Sequence, residues 1–442
     1  MLKSITYGAV AALLATSAIA DGHGGPYAEY AGTTLVVNFP AHPHYNAAMK
    51  VLPEFTKETG IEVEVDQLPY LKMRERQTLE LAQDEGEYDL IAYVVFSKAD
   101  YVFADQLENL AKYFMDPKLA DPSYDAADLI DGYVQNIGVA GGTKGYLPGA
   151  TGSLFGIPFG SETSVLAYRK DIFEKHGIAE PETYDQLLDA ACAIPELEPG
   201  MGGMASRAAS GHQASHAFLL HLAPLGGRVF DDAWEPIINN AAGVEAAEAL
   251  KTIVDCGPEG SMAFGPAEAA NAFSSGAAAM FLDSIAFMPG FEDPSRSSVA
   301  GKVGYAMHPM GVRRGSQTGG FGIAIPKNAE NKEAAFLLMQ WLTSKKGDLM
   351  VAMEGGNPSR FSTYQDAGLN EKFPFSATFG EALEFADPDW RPIIPTWGKI
   401  NADIGTTMSK VLTEDLDIQE ALDGVAERAR AIMDEAGYYT WQ

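Results

Sequence analysis

Two pairs of histidines are the residues whose spacing first suggests chemistry: His42 and His44 in one short stretch, and His212 and His216 four apart. An i, i+4 pair puts both imidazoles on one helix face and could begin a metal site. No cysteine or third ligand shares that spacing, and a zinc centre needs three or four ligands, so no metal is expected. Carboxylates are abundant, with 60 Asp plus Glu, and a glycan hydrolase would need two of them across a glycosidic bond. In so acidic a chain such pairs arise by chance. There is no His-Glu-x-x-His, no Gly-x-Ser-x-Gly and no nucleotide or dinucleotide fingerprint. Gly319-Gly320-Phe321 lacks the Lys and Ser or Thr of a phosphate loop. Its glycines read either as close backbone approach to a ligand or as a strand entry. Neither an enzyme nor a cofactor is expected; a secreted glycan-acting hydrolase with a carboxylate pair is the alternative. The chemistry that remains is stacking and hydrogen bonding. Trp390, Trp397 and Asn401 surround Pro392 and Pro395, and a tryptophan in a proline-bounded loop is hard to explain as core, so Trp397 is expected to face a ligand.

The elements that would position these residues alternate strand and helix. Thr34 to Phe39 is a β-branched run that reads as a buried strand. Tyr45 to Thr59 has helical spacing with Gly60 as its stop, and Ile61 to Val65 alternates like a strand. Leu71 to Ala82 reads as a helix and Tyr88 to Phe96 as a third strand. In open α/β sheets ligands bind outside the carboxyl ends of the strands. The ends of the first and third strands therefore nominate Asn38, His42, His44 and Tyr93. Glycines crowd residues 138 to 160, which reads as a loop leading into a crossing segment. Thr163 to Arg169 is strand-like, and Thr183 is a plausible N-cap of the helix that opens a second α/β lobe. Helices are expected at Ala214 to His221, Val244 to Val254 and Ala267 to Phe273, and a strand at Ala277 to Leu282.

The 442 residues are 46% hydrophobic and 21% charged, a globular composition long enough for two or three domains. A net charge of -29 argues against a nucleic-acid partner, which needs a positive surface, and favours a soluble monomer. Lys3, the apolar stretch Tyr7 to Ala15 and Ala18-Ile19-Ala20 read as a signal peptide over residues 1-20. No cysteine lies near the cleavage site, so a lipid anchor is not indicated and the product is expected free in the periplasm. Cys192 and Cys256 would then sit in an oxidising space. A disulfide is expected, two separate buried thiols being the alternative.

Several segments, in order, resemble the extracellular solute-binding proteins of carbohydrate ABC importers, the group that includes maltose-binding protein. They are Phe55-Thr56-Lys57-Glu58-Thr59-Gly60, Tyr88-Asp89-Leu90-Ile91, Phe155-Gly156-Ile157-Pro158-Phe159 and the run from Val165 to Ile178. Ala272 to Met280, Gly319 to Pro326 and Gly356-Asn357-Pro358-Ser359-Arg360 complete the series. Each alone is weak; together they span residues 33 to 430. The resemblance implies an α/β periplasmic binding fold of two lobes, joined by hinge strands around a ligand cleft. One lobe would comprise 21-158 plus 300-346 and the other 159-299 plus 347-442. It also implies capture of a small carbohydrate or polyol by hinge closure and delivery to the permease subunits of an ABC transporter.

The same resemblance implies ligand roles. Glu162, six residues before Tyr168, matches a sugar-contacting hinge glutamate. His42 stands where the family has a sugar-binding aspartate, and Tyr93 where it has a stacking tryptophan, a core tyrosine of the strand being the alternative reading of Tyr93. Asp283 and Ser284 would enter a ligand loop, in which Ala286 replaces a frequent stacking tryptophan and Phe287 is one step on. A region near Trp397 and Asn401 would supply another aromatic platform. Read from the residues themselves, Gly320 and Phe321 would approach the ligand or enter a strand, and Arg360 would either contact a hydroxyl or an anionic group or form a structural salt bridge. The loss of a platform at Ala286 favours a compact ligand, a mono- or disaccharide or a sugar alcohol.

Overall fold

The computed structural model describes residues 25-141, 152-387, 389-414 and 416-440. The expected signal peptide and part of the glycine-rich loop lie outside the described residues. One sheet has the order Glu62–Leu68, Thr34–Pro40, Leu90–Val94, Gly319–Ala324, Ile157–Glu162. Its first three strands are parallel, and Gly319–Ala324 runs antiparallel to both neighbours. A second sheet has the order Val303–Met307, Ser164–Arg169, Ala278–Ser284, Gly202–Ala205. Two sheets with separate helical coverings make two lobes.

Local sequence explains the framework. The Pro43–Thr59 helix starts with Pro43 in its first turn, where a missing N–H costs nothing, and ends on Gly60 at φ 73, a left-handed position that suits glycine. The Tyr184–Leu197 helix begins with Thr183 in a capping box with Gln186. Cys192 in that helix is disulfide-bonded to Cys256 at the end of the Ala241–Asp255 helix, with Cα atoms 5.1 Å apart. The expected strand at Ala277 to Leu282 extends to Ser284, so Asp283 and Ser284 end a strand rather than enter a loop.

The chain passes between sheets at Thr163, the single residue separating Ile157–Glu162 from Ser164–Arg169. It returns between Val303–Met307 and Gly319–Ala324, and there Ser316–Gln317 pairs with Ala386–Asp387 as a separate two-stranded ribbon. Thr163 and Ser316 share a 2.6 Å hydroxyl hydrogen bond, and Gln317 N donates to Ser164 Oγ. This pairing moves the lobe boundaries away from the expected ones. Val303–Met307 pairs with Ser164–Arg169, so residues 303–307 belong to the second lobe. The Lys345–Met353 helix contributes Val351 to the first-lobe core, and Lys50 pairs with Glu354 just beyond it, so residues 347–354 stay with the first lobe.

Candidate functional site

The hinge carries the first functional side chain. Glu162 ends a first-lobe strand, beside the crossing, with its Cα opposite that of Gly319. Its Oε2 accepts a 2.6 Å hydrogen bond from Ser284 Oγ of the second lobe, and its Oε1 faces His42 Nε2 of the first lobe at 3.1 Å. Burial raises the Glu162 pKa, but the His42 and Ser284 contacts outweigh it and leave the carboxyl below its ordinary range. Glu162 therefore joins both lobes as a carboxylate. Its Oε1 still makes no well-directed hydrogen bond.

The second-lobe wall is a chain of buried polar groups. Arg207 holds Asp283 through two 2.6 Å hydrogen bonds, a bidentate geometry that only a guanidinium supplies. Burial opposes ionisation of Asp283, yet Arg207 and His216 hold it well below the usual carboxylate range. Arg391 Nη2 donates to His216 Nδ1 at 3.1 Å, which leaves the His216 proton on Nε2. That Nε2 is 3.7 Å from Asp283 Oδ1, beyond hydrogen-bond reach. Burial, and then Arg207, push the His216 pKa down to about 3, so the ring is neutral. The Arg391 guanidinium lies 4.0 Å over the Trp390 ring and 5.3 Å from the ring of Phe96, which comes from the first lobe. Phe96 is therefore held across the lobe boundary. Arg74 stands over it at 5.6 Å, while His212 and Tyr70 lie 6.1 and 6.3 Å away.

Besides Glu162 Oε1, four polar atoms around this junction are buried and make no well-directed hydrogen bond: Tyr70 Oη, Ser97 Oγ, His216 Nε2 and Arg391 Nε. Burial raises the Tyr70 pKa, while Arg74, Arg391 and Ser97 lower it, which places those groups together. An unmet buried polar group costs roughly 1-3 kcal/mol. A cluster of them between lobes is a site built for a hydrogen-bonding occupant.

Of the residues expected at the site, the structure brings His42, Glu162, Asp283 and Ser284 together. Asn401 stands behind them, accepting from Ser215 Oγ and donating to His212 Nδ1. The others are spent on the scaffold. Asn38 donates to Asp66 O of the paired parallel strand and accepts from Gln77 Nε2 of the Tyr70–Glu80 helix. Nδ1 of His44 accepts from Asn357 N, and its ring packs against Phe159. Tyr93 is fully buried in a strand, and its hydroxyl donates to Ile137 O, so it is a core tyrosine and not a stacking platform. Trp397 is 2% exposed inside the apolar core of the second lobe, because it opens the Trp397–Thr413 helix instead of lying in a loop. Gly320 has φ +98 and a Cβ there would meet Gly160 O at 2.1 Å, so backbone, not ligand, requires the glycine. Phe321 backs the His42 ring at 4.9 Å. Arg360 is fully buried in main-chain carbonyls and makes no cleft contact.

Sequence reasoning missed Arg207, Arg391, Tyr70, Phe96 and Ser97. It named His212 and His216 only as metal ligands, whereas here they accept hydrogen bonds from Asn401 and Arg391. Among the described residues no group of three or more His, Cys, Asp or Glu could hold a metal ion. Ala286 and Phe287 line a neighbouring cavity of about 370 Å³ with Pro43, Asn46 and Lys50 of the first lobe.

The profile of the bacterial extracellular solute-binding proteins matches residues 41–348, more than half of the chain. The chain belongs to that family. The mannitol-binding protein of Pseudomonas aeruginosa is 27% identical over 390 residues, covering 83% of this chain and 85% of that one. A solute-binding protein of Agrobacterium radiobacter K84, solved in complex with ribitol, superposes with a TM-score of 0.81 at 25% identity, covering 91% of this chain and 99% of that one. Another from Agrobacterium vitis S4, with bound D-mannitol, gives 0.78 at 25% identity, covering 92% and 99%. The two-lobed periplasmic binding fold implied by the sequence is thus the fold of the family. Among the described residues no helix is long and apolar enough to cross a membrane.

Proposed function

We propose that this chain is the periplasmic capture subunit of an ABC importer, taking one small polyhydroxylated solute of sugar-alcohol or monosaccharide size into the cleft between its lobes. The observation that carries this reading is the cluster of four unpartnered buried polar atoms beside the Glu162 and Asp283 carboxylates. A chain of hydroxyls, each both donor and acceptor, can meet such a mixed set. The rings nearest the cluster among the described residues, Phe96 and Trp390, are already capped by Arg391, so neither offers a bare platform to a series of sugar rings. This favours a compact solute over an oligosaccharide, and the mannitol and ribitol relatives support the same size.

Closure of the lobes would bring Phe96 and His42 onto the second-lobe wall around the solute, and the closed form would be read by the permease subunits. A thermal-shift screen of pure protein against sugar alcohols, monosaccharides, disaccharides, amino acids and divalent cations tests the reading. A solute that binds only the folded state raises Tm by mass action. Stabilisation by sugar alcohols or small sugars is expected. A shift with amino acids or metal ions alone contradicts the proposal.

A further inference from the structure

The four unpartnered atoms differ in what they can do. Arg391 Nε–H and His216 Nε2–H can only donate, the second because Arg391 holds the other ring nitrogen as an acceptor. Ser97 and Tyr70 hydroxyls can donate or accept. Of the acceptors nearby, Asp283 is taken by Arg207 and Glu162 Oε2 by Ser284, which leaves Glu162 Oε1, facing His42, as an open acceptor. The region is therefore rich in donors.

Charge sharpens the asymmetry. Arg207 is neutralised by Asp283, and His216 is neutral. Arg391 is 6% exposed and forms no ion pair with any described carboxylate; its direct contacts are two aromatic faces and a neutral imidazole, and the Glu162 carboxylate acts on it only from longer range. A buried cation is normally paired or hydrogen-bonded throughout. Arg360 in the same chain follows that rule and Arg391 does not.

We infer that the Arg391 end of the cleft receives a carboxylate, so that the imported solute is a sugar acid: an open polyhydroxylated chain with one carboxyl terminus, of the aldonate class. The carboxylate accepts from Arg391 Nε, His216 Nε2, Ser97 Oγ and Tyr70 Oη, and the hydroxyl tail runs toward Glu162. Four donors match the roughly four lone-pair sites of a carboxylate. This rests on the proposed capture of a small polyhydroxylated solute.

Calorimetry with the full mature chain tests it, using D-gluconate, D-glucitol and D-glucose as probes. The first two share a six-carbon hydroxylated chain and differ chiefly in the terminal carboxylate. Gluconate is expected to bind about tenfold or more tightly than glucitol, a difference of about 1.4 kcal/mol. In Arg391→Met, with folding verified by circular dichroism, that ratio should fall to about one, and Arg391→Lys should restore part of it. The wild-type comparison needs no variant, so a misfolded substitution leaves the test intact. Equal or tighter binding of glucitol overturns the sugar-acid assignment while leaving capture of a polyol standing. A gluconate preference that persists in folded Arg391→Met also overturns it. Heat from none of the three probes removes the assignment, and if the wider solute screen is silent too, the capture reading falls with it.

Discussion

Arg360 and Arg391 are both buried, at 0% and 6% exposure, but the protein treats their guanidinium groups differently. Arg360 sits in a nest of main-chain oxygens. Its Nε donates to Thr343 O at 2.6 Å, Nη1 to Asp125 O and Asp128 Oδ2, and Nη2 to Tyr124 O, with the Tyr124 ring beneath at 4.7 Å. It ties the segment after the Lys345–Met353 helix to the loop at residues 124–128. Arg391 has one protein acceptor and an unpartnered Nε. Burial and then Arg207 lower its pKa to about 9, and the longer-range pull of Tyr70 and the Glu162 carboxylate does not make up the loss. What separates scaffold from site is therefore satisfaction and not burial. A fully met group has nothing left to offer a solute.

The largest expected effects fall on the scaffold side. Arg360→Ala strands Asp128 and several carbonyls and should cost roughly 3-5 kcal/mol of unfolding free energy, read by urea denaturation. A loss below about 1 kcal/mol would show that the nest is not structural. Trp397→Ala should cost a similar ~3-5 kcal/mol through the cavity left in the second-lobe core, with solute affinity of the folded protein unchanged. Weakened binding at normal stability would return Trp397 to the ligand.

Arg391→Met should cost less, about 1-2 kcal/mol, because a buried, unpaired charge is removed and only the His216 Nδ1 acceptor is left unmet. Unfolding on the scale of Arg360→Ala would erase the contrast between the two sites.

Acid should act through the buried imidazoles on both sides of the comparison. Burial lowers the pKa of His44 and His212, and pushes His216 and His308 to about 3 and His221 to about 4. Below the ordinary histidine pKa the unfolded chain binds protons that these rings refuse, so stability is full above about pH 6.5 and falls as the pH drops below it. Each group contributes about 1.4 kcal/mol per unit of pH below its unfolded pKa. Urea midpoints at pH 7 and pH 5 check this, and equal midpoints would contradict it.

The smallest expected effect is at the junction of the lobes. Phe96→Ala removes the first-lobe ring that meets Arg391 and His212 and should weaken solute binding by ~1-2 kcal/mol by favouring the open form. Small-angle scattering at saturation would show a larger radius of gyration than wild type at equal solute. An unchanged radius and affinity would remove Phe96 from closure.

Much of the frame was legible because period and capping are local. The alternation at Ile61 to Val65, Gly60 as a helix stop and Thr183 as an N-cap all mark real elements. Glu162 was found through its place in the family pattern at the crossing. Arg207 and Arg391 were not, since each looks like an ordinary surface arginine in the sequence. Only tertiary packing brings Arg207 to Asp283 across 76 residues, and Arg391 to His216 across 175. Tyr93 and Trp397 were misplaced for the converse reason. An aromatic ring at a strand end or beside prolines serves a core as readily as a ligand, and nothing local distinguishes the two.

The central claim, that the solute lies between the lobes against Glu162, is tested most directly by calorimetric titration of wild type and Glu162→Gln with a six-carbon sugar alcohol or sugar acid. Glu162 joins His42 and Ser284 across the hinge, and a hydrogen bond from a solute hydroxyl to its charged carboxylate is worth about 1.5-3 kcal/mol. The account predicts one saturable site in wild type and an affinity roughly tenfold or more weaker in the folded variant. Undiminished affinity in Glu162→Gln would contradict it.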